Sequence, residues 1–167
     1  PGMSRFPGGE EWMRSLLASL TNQPLVIDAD ALYLLRNQLE VVRAYKGNVI
    51  FTPHPGEMAR LVNKTVKEVE ENRLEIASAF AKEYAVYLLL KGHRSIISTP
   101  AGDVYINPHG HDALGKGGSG DVLTWLITSF LAQGAQPIHA LIAASFLHAR
   151  SGEKKKKILS HYGVMPS

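Results

Sequence analysis

Gly117-Gly118-Ser119-Gly120-Asp121, followed at once by Val122 and Leu123, is the stretch with the most chemistry in it. Glycines let successive backbone N–H groups converge on an anion. A helix that starts here adds the partial positive charge of its N-terminus at the same place. Such a site suits a phosphoryl group in transfer, whose negative charge gathers on its peripheral oxygens. Gly118, Ser119 and Gly120 are therefore candidate catalytic residues through their amides. Asp121, beside them, is a candidate base able to take a proton from an attacking hydroxyl. The same five residues also fit a plain glycine turn with Asp121 as an ordinary first-turn helix acid, because short glycine motifs recur by chance.

Three more stretches stand at the ends of apolar runs. Thr52-Pro53-His54-Pro55-Gly56-Glu57 follows one such run, and ligands of open α/β sheets bind at that edge. The two prolines stiffen the loop and hold His54 out, where it can meet a substrate; the alternative is a capped turn with Glu57 at a helix start and His54 idle. Lys91-Gly92-His93-Arg94-Ser95 places a lysine and a close-approach glycine after another run, an arrangement that can meet a nucleotide phosphate. A lysine on the solvent edge of a turn fits equally. Asp28-Ala29-Asp30 can hold Mg²⁺ through water or orient a substrate, or Asp30 can cap a helix. Lys154–Lys157 reads as a solvated charge run. The seven histidines show no metal-ligand spacing: His109 and His111 flank Gly110, and His148 falls on an apolar helix as a core or interface residue.

The elements that must position these residues alternate. Helical spacing covers 10–20, with Trp12, Leu16, Leu17 and Leu20 on one face. Buried parallel strands are expected at 25–27, 49–52 and 86–90, and helices open at 31 and 57. Thr65-Val66-Lys67-Glu68 is a capping box that starts a helix running to about Tyr84. Residues 95–99 and 104–107 bracket Pro100-Ala101-Gly102-Asp103 as a hairpin, the one antiparallel element. Apolar helices follow at 120–132 and 137–150, the latter with Pro137 in its first turn. The expected fold is α/β, with helices on both faces of a mostly parallel sheet.

Bulk properties narrow the class further. In 167 residues, 45% are apolar and 20% charged, the make-up of a globular protein with a real core. No apolar run reaches ~18 residues, so no membrane span is expected. The chain has no cysteine, which excludes a disulfide framework and thiolate chemistry and fits the cytoplasm. A net charge of +3, without aromatics interleaved among basic residues, argues against a nucleic-acid platform. Nothing resembles a signal peptide. Pro1-Gly2-Met3 is an unusual start, so the chain is expected to be one partial catalytic domain, 1–167, lacking its N-terminal part.

Taken in order, PLVIDADA at 24–31, TPHPGE at 52–57, Lys91-Gly92, NPHG at 107–110 and GGSGDVL at 117–123 resemble the ADP/ATP-dependent NAD(P)H-hydrate dehydratases of the ribokinase-like superfamily. The resemblance runs from Pro1 to about His148. The combination of TPHPGE with GGSGD carries its specificity; the glycine-aspartate motif alone fits any ribokinase-like member. It implies a three-layer sandwich around a mostly parallel sheet, missing here about 100 residues of its first strands by the usual length of such domains. A second chain or piece would then complete the sheet, since a bare central strand edge is avoided.

The resemblance also implies an activity. The 6-hydroxyl of hydrated NADH or NADPH is phosphorylated by ADP or ATP with Mg²⁺, and loss of phosphate restores NAD(P)H. Asp121 would be the base and the amides of Gly118 to Gly120 the phosphoryl cradle. Gly2, His54 and Asp121 would contact the hydrated dinucleotide. Lys91, Gly92, His93, Arg94, Ser95 and Gly120 would contact the ADP or AMP moiety, and Asn107 would lie under the pocket loop. Relatives carry Asn-x-Thr/Ser-Gly-Asn where this chain has Asn107-Pro108-His109-Gly110-His111, and threonine where it has Lys116. A homo-oligomer, a tetramer by resemblance, is expected. Two other readings share the phosphate cradle: a ribokinase-like kinase of a vitamin-precursor alcohol or sugar, and a nucleotide-binding fragment without turnover.

Overall fold

A computed structural model describes residues 2–109 and 118–159, with side chains as far as Ser151. Gly110, His111, Lys116 and Gly117, and the side chains of Lys154–Lys157, lie outside the described residues. Five strands form one sheet in the order β1-β2-β3-β4-β5. Strands β1 (Leu25–Ile27), β2 (Val49–Phe51) and β3 (Tyr87–Leu90) run parallel. Strands β4 (Ile96–Ser98) and β5 (Val104–Ile106) add the antiparallel hairpin. The helices are α1 (Gly9–Ser19), α2 (Asp30–Leu35), α3 (Glu40–Arg43), α4 (Pro55–Leu61), α5 (Val66–Glu71), α6 (Arg73–Tyr84), α7 (Ser119–Ala132) and α8 (Pro137–Leu159).

Why the strands read as unbroken apolar runs is visible in their burial. Successive strand residues face opposite ways. Phe51, Leu88 and Leu90 join a core under α1 to α6 with Leu32, Met58 and Phe80. Ile50, Leu89 and Ile97 join a second core under α7 and α8 with Leu123, Ile127 and Leu141. A sheet covered on both faces has no polar side to show, so alternation vanishes. The expected layering of helices on both faces is therefore present, and no helix among the described residues is long and apolar enough to cross a membrane.

Two local expectations need correction, and one short helix was not expected. The helix expected from Thr65 to Tyr84 is two helices. The Thr65 capping box forms, with Thr65 Oγ1 accepting from the Glu68 N–H at 3.2 Å and Glu68 Oε2 accepting from the Thr65 N–H at 2.7 Å. The run then breaks at Asn72 (φ −127°, ψ 36°), whose side-chain amide donates to the Glu68 carbonyl at 2.9 Å. Asparagine competes with the helix by such local bonding. Asp30 does not cap α2; Ala29 stands at the cap with φ 52°, and the Asp30 carboxylate instead accepts from the Ser4 N–H at 3.1 Å and pairs with Arg5 at 3.4 Å. The short helix α3 had no sequence signal beyond Glu40 at its start.

Candidate active site

Because β1, β2 and β3 are parallel, Asp28, His54 and Lys91 leave the sheet at one edge. The ladder continues past the strands: the Thr52 N–H donates to the Ile27 carbonyl at 3.2 Å and the Lys91 N–H to the Pro53 carbonyl at 2.8 Å. These bonds hold three loops side by side.

Their side chains meet in one charged network. Lys91 Nζ lies 2.9 Å from Asp28 Oδ1 and 3.7 Å from Glu57 Oε2. The other Asp28 oxygen accepts from the Thr124 hydroxyl at 3.0 Å. Asp28 is buried and Lys91 mostly so, which a charge tolerates only when paired. The lysine is thus held in place by the fold, and the solvent-edge alternative fails.

Helix α7 points its N-terminus at this network. Gly118 caps it with φ 85°, a conformation glycine adopts without strain. The first intrahelical bond runs from the Val122 N–H to the Gly118 carbonyl, so the amides of Ser119, Gly120 and Asp121 have no acceptor within the helix. A β-carbon added at Gly120 would stand 3.4 Å from Lys91 Nζ and 3.8 Å from Asp28 Oδ2. The structure therefore brings Gly120, Lys91, Asp28, Thr124 and Glu57 together. Asp121 is exposed, and with Val122, Trp125, Leu126 and Ser129 it lines an open groove along α7.

Ser119 is buried, and its hydroxyl lies 2.9 Å from His148 Nε2 on α8. Burial first, then the Lys91 charge, pulls the His148 pKa down, and a bond to the Ser119 backbone opposes this. Behind it the Asn107 side-chain amide donates to Ser145 Oγ at 2.8 Å, and the His109 N–H donates to Asn107 Oδ1 at 3.0 Å. Asn107 is buried beside α8.

His54 both caps α4 and stays exposed at the site. Its Nδ1 accepts from the Gly56 N–H at 3.0 Å and the Glu57 N–H at 3.3 Å, while Glu57 Oε2 accepts from the His54 N–H at 2.8 Å. An accepting Nδ1 leaves the ring proton on Nε2, 3.4 Å from Glu57 Oε1. The capped-turn reading is thus correct, and the cap fixes the orientation of the His54 ring. Desolvation lowers the His54 pKa most, and Lys91 and Arg60 add to this against Glu57 and Asp28. A depressed folded-state pKa means that the unfolded chain takes up its proton first, near 6.5. The stabilisation is full above that pH and is lost as pH falls through it toward the folded value. At pH 7.5, His54→Ala should cost about 1 kcal/mol through the lost cap. His54→Asn should keep the cap and flatten the loss of Tm between pH 7.5 and 5; an unchanged slope would remove His54 as its source.

The remaining expected contacts are more scattered. His93 and Arg94 are exposed and Ser95 half-buried on the loop after Lys91. Gly2 (φ 72°) lies on the N-terminal loop tied to α2 through Ser4 and Asp30, and a β-carbon there would meet nothing within 4 Å. Thr124 and Arg73 were absent from the sequence reading. Thr124 has a signal in hindsight, since it sits four residues after Gly120 on the same helical face. Arg73 has none, because it reaches the loop only through the break at Asn72.

The Mg²⁺ alternative for Asp28 and Asp30 does not fit. Both Asp28 oxygens are engaged by Lys91 and Thr124, and Asp30 turns to Ser4 and Arg5. Among the described residues no three His, Asp or Glu side chains are grouped to hold a cation.

Sheet order, hairpin and glycine-headed helix together define a ribokinase-like domain. A ribokinase-like superfamily protein from Enterococcus faecalis superposes with a TM-score of 0.81 at 29% identity, over 99% of this chain and 56% of that one. The profile of the NAD(P)H-hydrate dehydratases matches residues 1–166, and the chain belongs to that family. It is 43% identical over 154 residues to the bifunctional NAD(P)H-hydrate repair enzyme Nnr of Moorella thermoacetica, covering 92% of this chain and 29% of the relative. It is 35% identical to the ADP-dependent (S)-NAD(P)H-hydrate dehydratase of Neisseria meningitidis, over 87% of this chain and 50% of that protein. The Bacillus subtilis ADP/ATP-dependent NAD(P)H-hydrate dehydratase co-crystallised with ATP/Mg²⁺ gives a TM-score of 0.76 at 34% identity, over 86% of this chain and 50% of that one. The chain thus spans half or less of the curated relatives described here.

Proposed function

We propose that residues 1–167 are the phosphoryl-transfer part of an ADP- or ATP-dependent dehydratase that restores NADH or NADPH from the hydrated forms. The observation that carries this reading is the approach of Gly120, in the first turn of α7, to Lys91 Nζ, with Asp121 exposed next to it. Lys91 would pair with nucleotide phosphate, and His93, Arg94 and Ser95 would line the nucleotide beside it. The amides of Gly118 to Gly120 would take the moving phosphoryl group, where donors in place beforehand act on charge that develops in the transition state. Asp121 would accept the proton of the 6-hydroxyl as its oxygen attacks the terminal phosphorus and AMP (from ADP) or ADP (from ATP) leaves. Loss of phosphate from the ring carbon, pushed by the ring nitrogen electrons, and then of a proton from the adjacent ring carbon would regenerate the dihydronicotinamide. His54 and Gly2 would face the dinucleotide.

A Mg²⁺ ion supplies charge neutralisation to phosphates. With no grouped carboxylates among the described residues to cage it, it would be held by the nucleotide and water, and no step is assigned to it. A homo-oligomer in the cytoplasm completes the reading. The test is to give the intact enzyme hydrated NADH with ADP or ATP and follow the NADH absorbance band. Recovery of the band with either nucleotide is the expected result. No recovery, with ADP released from ATP on adding a small alcohol, would make the protein a kinase; nucleotide binding with neither would leave a binding protein.

A further inference from the structure

The loop after β3 is held from behind by a residue far away in sequence. Arg73, the first residue of α6, is largely buried, and its Nη2 donates to the carbonyls of Leu90 at 3.3 Å, Lys91 at 3.2 Å and Arg94 at 3.1 Å. Nη1 pairs with Glu70 at 3.5 Å. A β-carbon on Gly92 would fall 2.4 Å from both terminal guanidinium nitrogens. Residue 92 must therefore be glycine while Arg73 occupies that place.

Three carbonyls drawn to one side fix where the amides go. In a trans peptide the C=O and N–H point opposite ways, and no cis bond occurs among the described residues. The Leu90–Lys91 peptide shows the result: its carbonyl goes to Arg73 and its N–H to the Pro53 carbonyl on the His54 side. By the same geometry the N–H groups of Gly92 and Ser95 turn away from Arg73. Amides turned outward on one loop, next to a fixed ammonium, can receive an anion.

We propose that Arg73 is a positioning residue for the nucleotide. By pulling the carbonyls of Leu90, Lys91 and Arg94 inward, it presents the Gly92 and Ser95 amides to the phosphates of a nucleoside di- or triphosphate. The inference rests on the nucleotide reading above and adds the residue that shapes its loop. Lysine carries the charge, but its one nitrogen cannot hold Glu70 and the three carbonyls at once, as Nη1 and Nη2 do on the planar guanidinium.

The test uses Arg73→Lys in the intact enzyme, with steady-state kinetics and amide hydrogen exchange. The KM for ADP should rise about tenfold, the equivalent of one lost contact of about 1.4 kcal/mol. Meanwhile kcat and the KM for the hydrated dinucleotide should stay within about threefold. Exchange over 91–95 should quicken, and ADP should protect it less than in the parent. Gly92→Ala, which pushes the guanidinium away from the other side, should reproduce the KM rise should Arg73→Lys fold poorly. An unchanged ADP KM in either folded variant overturns the proposal and leaves the dehydratase reading standing. So does a fall in kcat and folded fraction alone, the mark of a merely structural role. A parent enzyme that neither binds ADP nor shows ADP protection of 91–95 overturns both.

Discussion

Asp121→Asn should reduce turnover by about 10²–10⁴-fold, the usual range for a lost general base, while ADP affinity changes by less than about threefold. The carboxylate is the third residue of α7 and exposed, so the amide replacement neither opens a cavity nor strands a buried partner. The helix loses only the attraction between an acidic first turn and its own dipole, about 0.3–1 kcal/mol. The proposed phosphate seat consists of the Gly118–Gly120 amides and Lys91, none of which the substitution touches. A group that acts only as the hydroxyl loses its proton lowers kcat and kcat/KM together. Initial rates of NADH recovery give the first quantity, and calorimetric titration with ADP the second. A rate loss matched by an equal loss of binding would make Asp121 an anchor. Undiminished turnover would hand the base role to another group, the exposed His54 first among them.

How far the sequence foretold this arrangement depends on the range of each interaction. Strands β1 to β3 were legible because burial on both faces leaves an apolar run that needs no partner to recognise. Gly118 and Thr65 were legible because the turn or cap each makes is set within four residues. Proximity of Lys91 to Gly120 was suspected only through the family likeness, since the 28 residues of chain between them carry no spacing rule. The pairing of Asp28 with Lys91 and Thr124 was invisible for the same reason: each partner has a satisfactory local explanation as a turn or helix residue. Asn72 shows the opposite failure. The helical pattern around it is sound, but one side-chain bond to the Glu68 carbonyl outweighs propensity there. That break is what brings Arg73 to the loop.

Lys91→Met should lower both stability and nucleotide affinity, and a second substitution should separate the two. The lysine is the principal partner of a buried carboxylate, Asp28, whose only other bond is from Thr124 among the described residues. Removing one member of a buried pair leaves an uncompensated charge, at a cost of about 3–5 kcal/mol. At this chain length that lowers Tm by about 10 °C. Phosphate loses a charge-assisted bond of about 1.5–3 kcal/mol, so ADP affinity should fall more than about tenfold. Adding Asp28→Asn removes the stranded charge and keeps an oxygen for the Thr124 hydroxyl, so most of the lost Tm should return. Affinity for ADP should not return with it, because the ammonium beside Gly120 is still missing. Thermal melts and ADP titrations of the three variants, including Asp28→Asn alone, decide the matter. Recovery of affinity in step with Tm would reduce Lys91 to a counter-ion for Asp28, and the phosphate seat would then have to be built from the α7 amides alone.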